Sequence, residues 1–220
     1  VAELRTEEEQ LQAMKAWWQE NGKSLILGVG LAIALVLGWQ GWQARQEQQA
    51  AAASALYQNL TEAAQLQSVS ADDDGQYATV QHLADQLKTD FSGTTYARYA
   101  GLILAAVHVQ HEAFAEAQTE LEWVLSASKD MDSIKRVATL RKAALMQQQG
   151  EAEAAVTLIQ GLDAGSFEAE KQELLGDLYQ SLGQVEQARG AYDAALSAAG
   201  GEAGRPLLKI KRDDLIGVNS

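Results

Sequence analysis

Two regimes of hydrophobic and polar positions divide the chain. From Ser24 to Ala44 there are 21 residues without a charge, and Leu25, Ile26, Leu27, Val29, Leu31, Ile33, Leu35, Val36 and Leu37 make most of that run apolar. As a helix it is roughly 30 Å long, the thickness of a bilayer's hydrocarbon core. Trp17 and Trp18 lie just before the run, and Trp39 and Trp42 lie near its end. Tryptophan favours the membrane–water boundary, so the pattern predicts a single transmembrane helix over residues 24–44. It separates a tail of residues 1–23 from a domain of residues 45–220.

Basic residues orient the span. Arg5, Lys15 and Lys23 precede it, whereas only Arg45 follows within twenty residues. The positive-inside rule then places the tail in the cytoplasm and the C-terminal bulk across the membrane. A cleaved signal peptide fits less well. The apolar core is long for one, the tail carries five glutamates, and the small residues Ala51, Ala52 and Ala53 sit in a stretch that reads as continuing helix. Within the span, Gly30, Ala34 and Gly38 recur every four residues and form a small-residue stripe suited to close packing of a partner helix. In the tail, Thr6 and Glu9 form a capping box, and Leu4, Leu11, Met14, Trp17 and Trp18 share one side of a helix expected along the membrane surface.

Beyond Arg45 the pattern becomes that of amphipathic helices. One runs over Gln46–Gln67, continuous with the span. Asp72, Asp73, Asp74 and Gly75 break it and cap the next, which places Val80, Leu83, Leu87 and Phe91 on one side. The three aspartates lack the alternation and distant glutamate of a calcium loop. A period then emerges. Leu175, Gly176, Tyr179, Gly183, Ala188, Tyr192, Ala195 and Leu196 fit the tetratricopeptide pattern, in which small residues sit where the helices of a hairpin cross and a glycine turns the chain. Gly200 stands where a proline is usual. Tyr179 and Tyr192 are expected to fill the space between hairpins.

Thirty-three residues earlier, Ala143, Met146, Gly150, Ala155 and Ile159 take the corresponding places, with Lys142 in the leucine position. A further 38 residues back, Leu104, Ala105, Ala117, Leu121 and Leu125 fit, with Glu112 replacing the turn glycine and the extra residues lying in a polar loop near Ser126 to Ser133. The fold class is therefore all-α: a transmembrane helix, a partial hairpin, three tetratricopeptide-like hairpins, and a last helix from Pro206 to Ile216 as a cap. The first helix of each hairpin lines the concave side. The candidate groove is Tyr99, Leu102, Ala106 and Val109 in the first hairpin, Val137, Leu140 and Ala144 in the second, and Glu170, Glu173 and Asp177 in the third. It reads as apolar at one end and acidic at the other. Such a strip either binds a partner or is covered by the last or first helix.

Composition narrows the chemistry. A net charge of −13 argues against nucleic acid, and the absence of cysteine excludes disulfides, thiolate metal sites and a cysteine nucleophile. Among the three histidines, His108 and His111 share a helical face beside Glu112, but the zincin spacing and a third ligand are missing. They read as ordinary helix-surface histidines. Gly28-Val29-Gly30 lies inside the span and cannot be a nucleotide loop, and no serine has a nucleophile-elbow context. No enzyme and no cofactor are expected.

The run E-E-E-Q-L-Q-A-M-K-A-W-W-Q-E-N-G-K-S-L (Glu7 to Leu25) and the glycine-containing span ending at Gly38-Trp39 resemble the YfgM family, tetratricopeptide-containing ancillary subunits of the SecYEG translocon. T-E-L-E-W-V-L (Thr119 to Leu125) and L-K-I-K-R-D-D-L (Leu208 to Leu215) are also similar to that family. The resemblance implies a Gram-negative inner-membrane protein with periplasmic repeats. It also implies association with SecYEG and a PpiD-like membrane-anchored chaperone, near newly exported chains, and no catalytic residues. The expected function is an adaptor. The alternative is an oligomeric scaffold or stress-signalling regulator acting through its cytoplasmic tail.

Overall fold

The computed structural model describes residues 7–69, 74–129, 132–201 and 205–215. Among these the regular structure is entirely helical: α1 (Glu7–Val69), α2 (Asp74–Asp90), α3 (Thr95–Gln110), α4 (Phe114–Ala127), α5 (Ser133–Gln148), α6 (Ala152–Gln160), α7 (Glu168–Ser181), α8 (Val185–Ala198) and α9 (Pro206–Asp214), with a 3-10 turn at Gly165–Phe167. Thr6 of the expected capping box, Leu4 and Arg5 of the tail, Asp72 and Asp73 of the break, and Ile216 of the last helix lie outside the described residues.

The chain divides into two compact parts, Val1–Ala52 and Ala53–Ser220. In the first, the helix is uninterrupted at Lys23, so Glu7–Lys23 and the apolar run belong to one element. Leu25, Ile26, Leu27, Val29, Leu31, Ile33, Leu35, Val36, Leu37, Trp39 and Trp42 are all exposed there. This helix is long and apolar enough to cross a membrane.

The second part is a stack of hairpins whose turns repeat. Glu112, Gly150 and Gly183, one between the helices of each hairpin, have φ of 56°, 83° and 72°. At each turn the next amide reaches back five residues: Ala113 to the His108 carbonyl, Glu151 to that of Met146 and Gln184 to that of Tyr179, all at 2.8 Å. The same closure recurs after α8, where Gly200 has φ 81° and the Gly201 amide donates to the Leu196 carbonyl at 2.9 Å. These are Schellman endings, which satisfy helix carbonyls through one left-handed residue. Glu112 makes the turn without glycine, at a cost of about 1 kcal/mol. Its backbone identifies it as the true counterpart of Gly150 and Gly183.

Each hairpin buries its apolar stripe against the next, as repeats must. Ala53, Leu60 and Ala63 of α1 pack with Val80, Ala84 and Leu87 of α2 and with Ala100, Leu104 and Val107 of α3. Leu102 and Ala105 of α3 join Ala117, Leu121 and Val124 of α4 and Ile134, Ala138 and Leu145 of α5. A third cluster links α5 and α6 to Leu175 and Leu178 of α7, and a fourth seats Leu208 and Leu215 against Ala188, Tyr192 and Leu196 of α8. Pro206 opens α9, where a missing amide costs nothing, so α9 caps the stack as its sequence predicts.

The small positions have the expected cause. A Cβ on Gly176 would stand 2.3 Å from Cε1 of Tyr192, so the ring rests directly on the α7 backbone. Tyr192 therefore fills its own hairpin and the contact with α9 rather than the gap before it. Tyr179 packs against both the third and fourth clusters and bridges successive layers.

Candidate partner-binding groove

Helices α3 and α5, the first helices of the first two hairpins, line two adjoining cavities inside the repeat domain. One, of about 280 Å³, is bordered by Tyr99, Leu102 and Ile103 of α3, Ile134 and Val137 of α5, Tyr57 and Phe167. The other, of about 330 Å³, is bordered by Ala105, Ala106 and Val109 of α3, Ala144, Leu145 and Gln148 of α5, and Leu121. Six of the seven apolar residues read from the sequence are thus brought together: Tyr99, Leu102 and Val137 at the first cavity, Ala106, Val109 and Ala144 at the second. Leu102 is only 4 % exposed and forms floor rather than rim.

Leu140 departs from this face. It is buried in the cluster that joins α5 to α6 and α7. Arg141 stands in its place, bordering both cavities. The reason is helical phase: Val137, Arg141 and Ala144 follow the i, i+4, i+7 stripe, so the residue after Leu140 shares their side. Arg141 Nη1 donates to the Leu102 carbonyl at 2.8 Å and so lies across the groove between α5 and α3. Arg141 is exposed as a residue, yet partial desolvation of its head group pushes its pKa below the usual arginine range. Nothing in the repeat spacing marks Arg141 as part of this face. The signal was a one-residue phase offset that the degenerate repeat did not reveal.

The acidic residues of the third hairpin are engaged within the fold. Arg205, which precedes α9, donates to Glu173 at 3.1 Å and to Glu170 at 2.5 Å. Lys211 of α9 donates to Glu173 at 2.9 Å and to Asp177 at 2.8 Å. Burial works against the Lys211 ammonium, yet its bonds to Asp177 and Glu173 outweigh that cost and hold its pKa above 10.5. Arg205 and Lys211 thus engage all three carboxylates of the acidic end with two cations, leaving the apolar end around Arg141 as the open part of the groove.

His108 is not a surface histidine. It is 4 % exposed, its Nδ1 lies 2.8 Å from the Tyr77 hydroxyl, and the Tyr77 ring stacks on His111 with centroids 4.0 Å apart. Gln67 Nε2 donates to His111 Nε2 at 2.8 Å. The two rings thus lock α3 to α1 and α2, a long-range placement that histidine spacing does not encode. Burial lowers the His108 pKa below 6.5, against a weaker opposing pull from Glu116. The folded chain then binds fewer protons here than the unfolded one. This contribution to stability is complete above pH 6.5 and is lost as pH falls through the folded-state value. Urea unfolding is expected to show the wild type losing more stability than His108→Gln between about pH 7.5 and about pH 5. Parallel pH profiles would contradict the assignment.

In the apolar helix, Gly30, Ala34 and Gly38 are exposed, and a Cβ on either glycine would meet no atom within 4 Å. The stripe is open along its length.

Residues 15–217 match the family described as a tetratricopeptide repeat-like domain. The chain is 29% identical over 209 residues to a Haemophilus influenzae protein named ancillary SecYEG translocon subunit, covering 95% of this chain and 97% of that one. Its identity to a protein of the same name from Aggregatibacter actinomycetemcomitans is 30%, over 88% and 90% of the two chains. For the Escherichia coli protein of that name it is 28%, over 95% and 96%. The family match over residues 15–217 and the similarity along 88% of the chain to a 30% identical relative agree: the chain belongs to the tetratricopeptide repeat-like family of ancillary SecYEG translocon subunits.

Proposed function

We propose that the chain is a non-enzymatic adaptor of the Sec translocon in the bacterial inner membrane. Residues 24–44 span the bilayer, residues 1–23 lie in the cytoplasm, and the repeat domain of residues 45–220 lies in the periplasm. The domain docks a membrane-anchored, PpiD-like chaperone through the groove between α3 and α5, and the pair assists newly translocated envelope proteins. The Gly30/Ala34/Gly38 stripe packs against a partner's transmembrane helix, since small residues allow the close approach that drives association in lipid.

One observation carries this reading. The similarity to the ancillary translocon subunits runs through the apolar helix and all the hairpins, covering 95% of the chain for the Haemophilus influenzae relative. A stack of hairpins held beside a bilayer, with an open apolar groove, is suited to recruiting one membrane-bound protein to another. The test is purification of the tagged full chain from gently solubilised membranes, with co-purifying proteins identified by mass spectrometry. SecYEG subunits and one membrane-anchored chaperone are expected well above the level recovered with an unrelated single-span protein. SecYEG at background level would overturn the proposal.

A further inference from the structure

Arg141 carries five N–H donors in a planar fork. One bond to the Leu102 carbonyl uses a single donor, and among the described residues no carboxylate pairs with this guanidinium. Its helix neighbours differ: Arg136 reaches Asp163 at 3.2 Å and Lys142 reaches Glu122 at 2.8 Å. In a chain with 30 acidic against 17 basic residues, a groove cation without an acid is conspicuous. Its position is equally specific, because it borders both apolar cavities. Arg141 is exposed in the free chain; a guanidinium is suited to bidentate pairing with a carboxylate, and such a pair strengthens when a ligand covering the groove excludes water.

The spacing selects the shape of the ligand. Tyr99 and Leu102 flank one cavity, and Ala106 and Val109, each seven residues further along α3, flank the other. Seven residues of helix are about 10 Å. A helical ligand places side chains at i and i+7 on one face at that spacing, with i+3 or i+4 between them. An extended ligand offers same-face side chains at roughly 7 or 13 Å. A chain's terminal carboxylate has residues on one side only and would leave one cavity unfilled. From these constraints we infer that the groove takes an amphipathic helical segment of a partner protein. Two apolar side chains seven residues apart fill the cavities, and a glutamate or aspartate between them pairs with Arg141. This deepens the adaptor reading and rests on it.

The full chain in lipid nanodiscs, titrated against fluorescein-labelled fifteen-residue helical peptides, tests the inference. The first peptide carries two leucines seven residues apart with a glutamate four residues after the first. The others replace that glutamate with glutamine or lysine, or place a terminal carboxylate after a single leucine. The glutamate peptide is expected to bind about tenfold more tightly than the glutamine peptide. Arg141→Gln removes the difference, Arg141→Lys keeps part of it, and Arg141→Glu shifts the preference to the lysine peptide. Equal binding of the glutamate and glutamine peptides, a preference unchanged in Arg141→Gln, no binding, or strongest binding by the terminal-carboxylate peptide would overturn it. Circular dichroism and partial function in Arg141→Lys separate these results from misfolding. Loss of peptide discrimination with SecYEG still co-purifying strikes only this inference, whereas absence of SecYEG strikes the adaptor reading.

Discussion

Replacing Tyr192 with alanine is expected to destabilise the last hairpin by about 3–5 kcal/mol, the usual cost of emptying a buried aromatic position. Tyr192 is 0 % exposed and lies on the bare α7 backbone at Gly176, with Ala188, Leu196 and Leu208 around it. Neither helix can close the space without breaking the hairpin's other contacts. Its hydroxyl lies 2.7 Å from Asp177 Oδ1 and 3.0 Å from Gln180 Oε1. Tyr192→Phe keeps the ring and should cost only about 1 kcal/mol, because Lys211 still satisfies Asp177. Gly176→Ala forces the same ring away and should cost about 1–3 kcal/mol. Combining it with Tyr192→Leu should give a total well below the sum, because both changes act on one contact. Hydrogen exchange of α7, α8 and α9 amides resolves these effects. Unchanged protection of those helices in Tyr192→Ala would contradict the packing described.

The second large effect lies at the other end of the stack. Lys88→Met is expected to destabilise the domain by about 3–5 kcal/mol, because it strands a charge that has left water. Lys88 Nζ lies 2.7 Å from both carboxylate oxygens of Glu120, whose residue is 8 % exposed, and 5.5 Å from the centre of the Trp123 ring. The pair ties α2 to α4 across α3. The double variant Lys88→Met/Glu120→Leu should recover most of the loss, since apolar groups of similar size replace a buried pair at little net cost. Urea titration of the single and double variants gives the comparison. A single variant within about 0.5 kcal/mol of wild type would show that the pair is effectively solvated.

What could be read from the sequence was what depends on neighbouring residues. Gly150 and Gly183 mark turns because a left-handed residue must close each Schellman ending, and Gly176 is small because an aromatic ring covers it. Both constraints act within a hairpin, so spacing alone finds them. Glu112 could be aligned only by the period, since its side chain gives no hint of a positive φ. The apolar run of residues 24–44 declares itself through length and missing charge.

What was not legible depends on distant elements. The exposed acids Glu170, Glu173 and Asp177 of the sequence reading are paired by Arg205 and Lys211, more than thirty residues away in the chain. His108 is buried because Tyr77, from another helix, receives it. Leu140 and Arg141 exchange roles through one residue of helical phase. In a hairpin as degenerate as α5–α6, the packing of α5 against α6 and α7 on one side and α3 on the other decides that phase.

The claim that the α3–α5 groove is the docking surface is tested most directly by site-specific photocrosslinking in native membranes. A crosslinker at Ala106, exposed on the groove, is compared with one at Gln187, exposed on α8. The buried Leu102 and Leu140 are unsuitable positions. A crosslinker at Ala106 is expected to capture a membrane-anchored chaperone of the translocon's surroundings, and one at Gln187 is not. Equal capture at both positions, or crosslinks from Ala106 only to another copy of this chain, would contradict it.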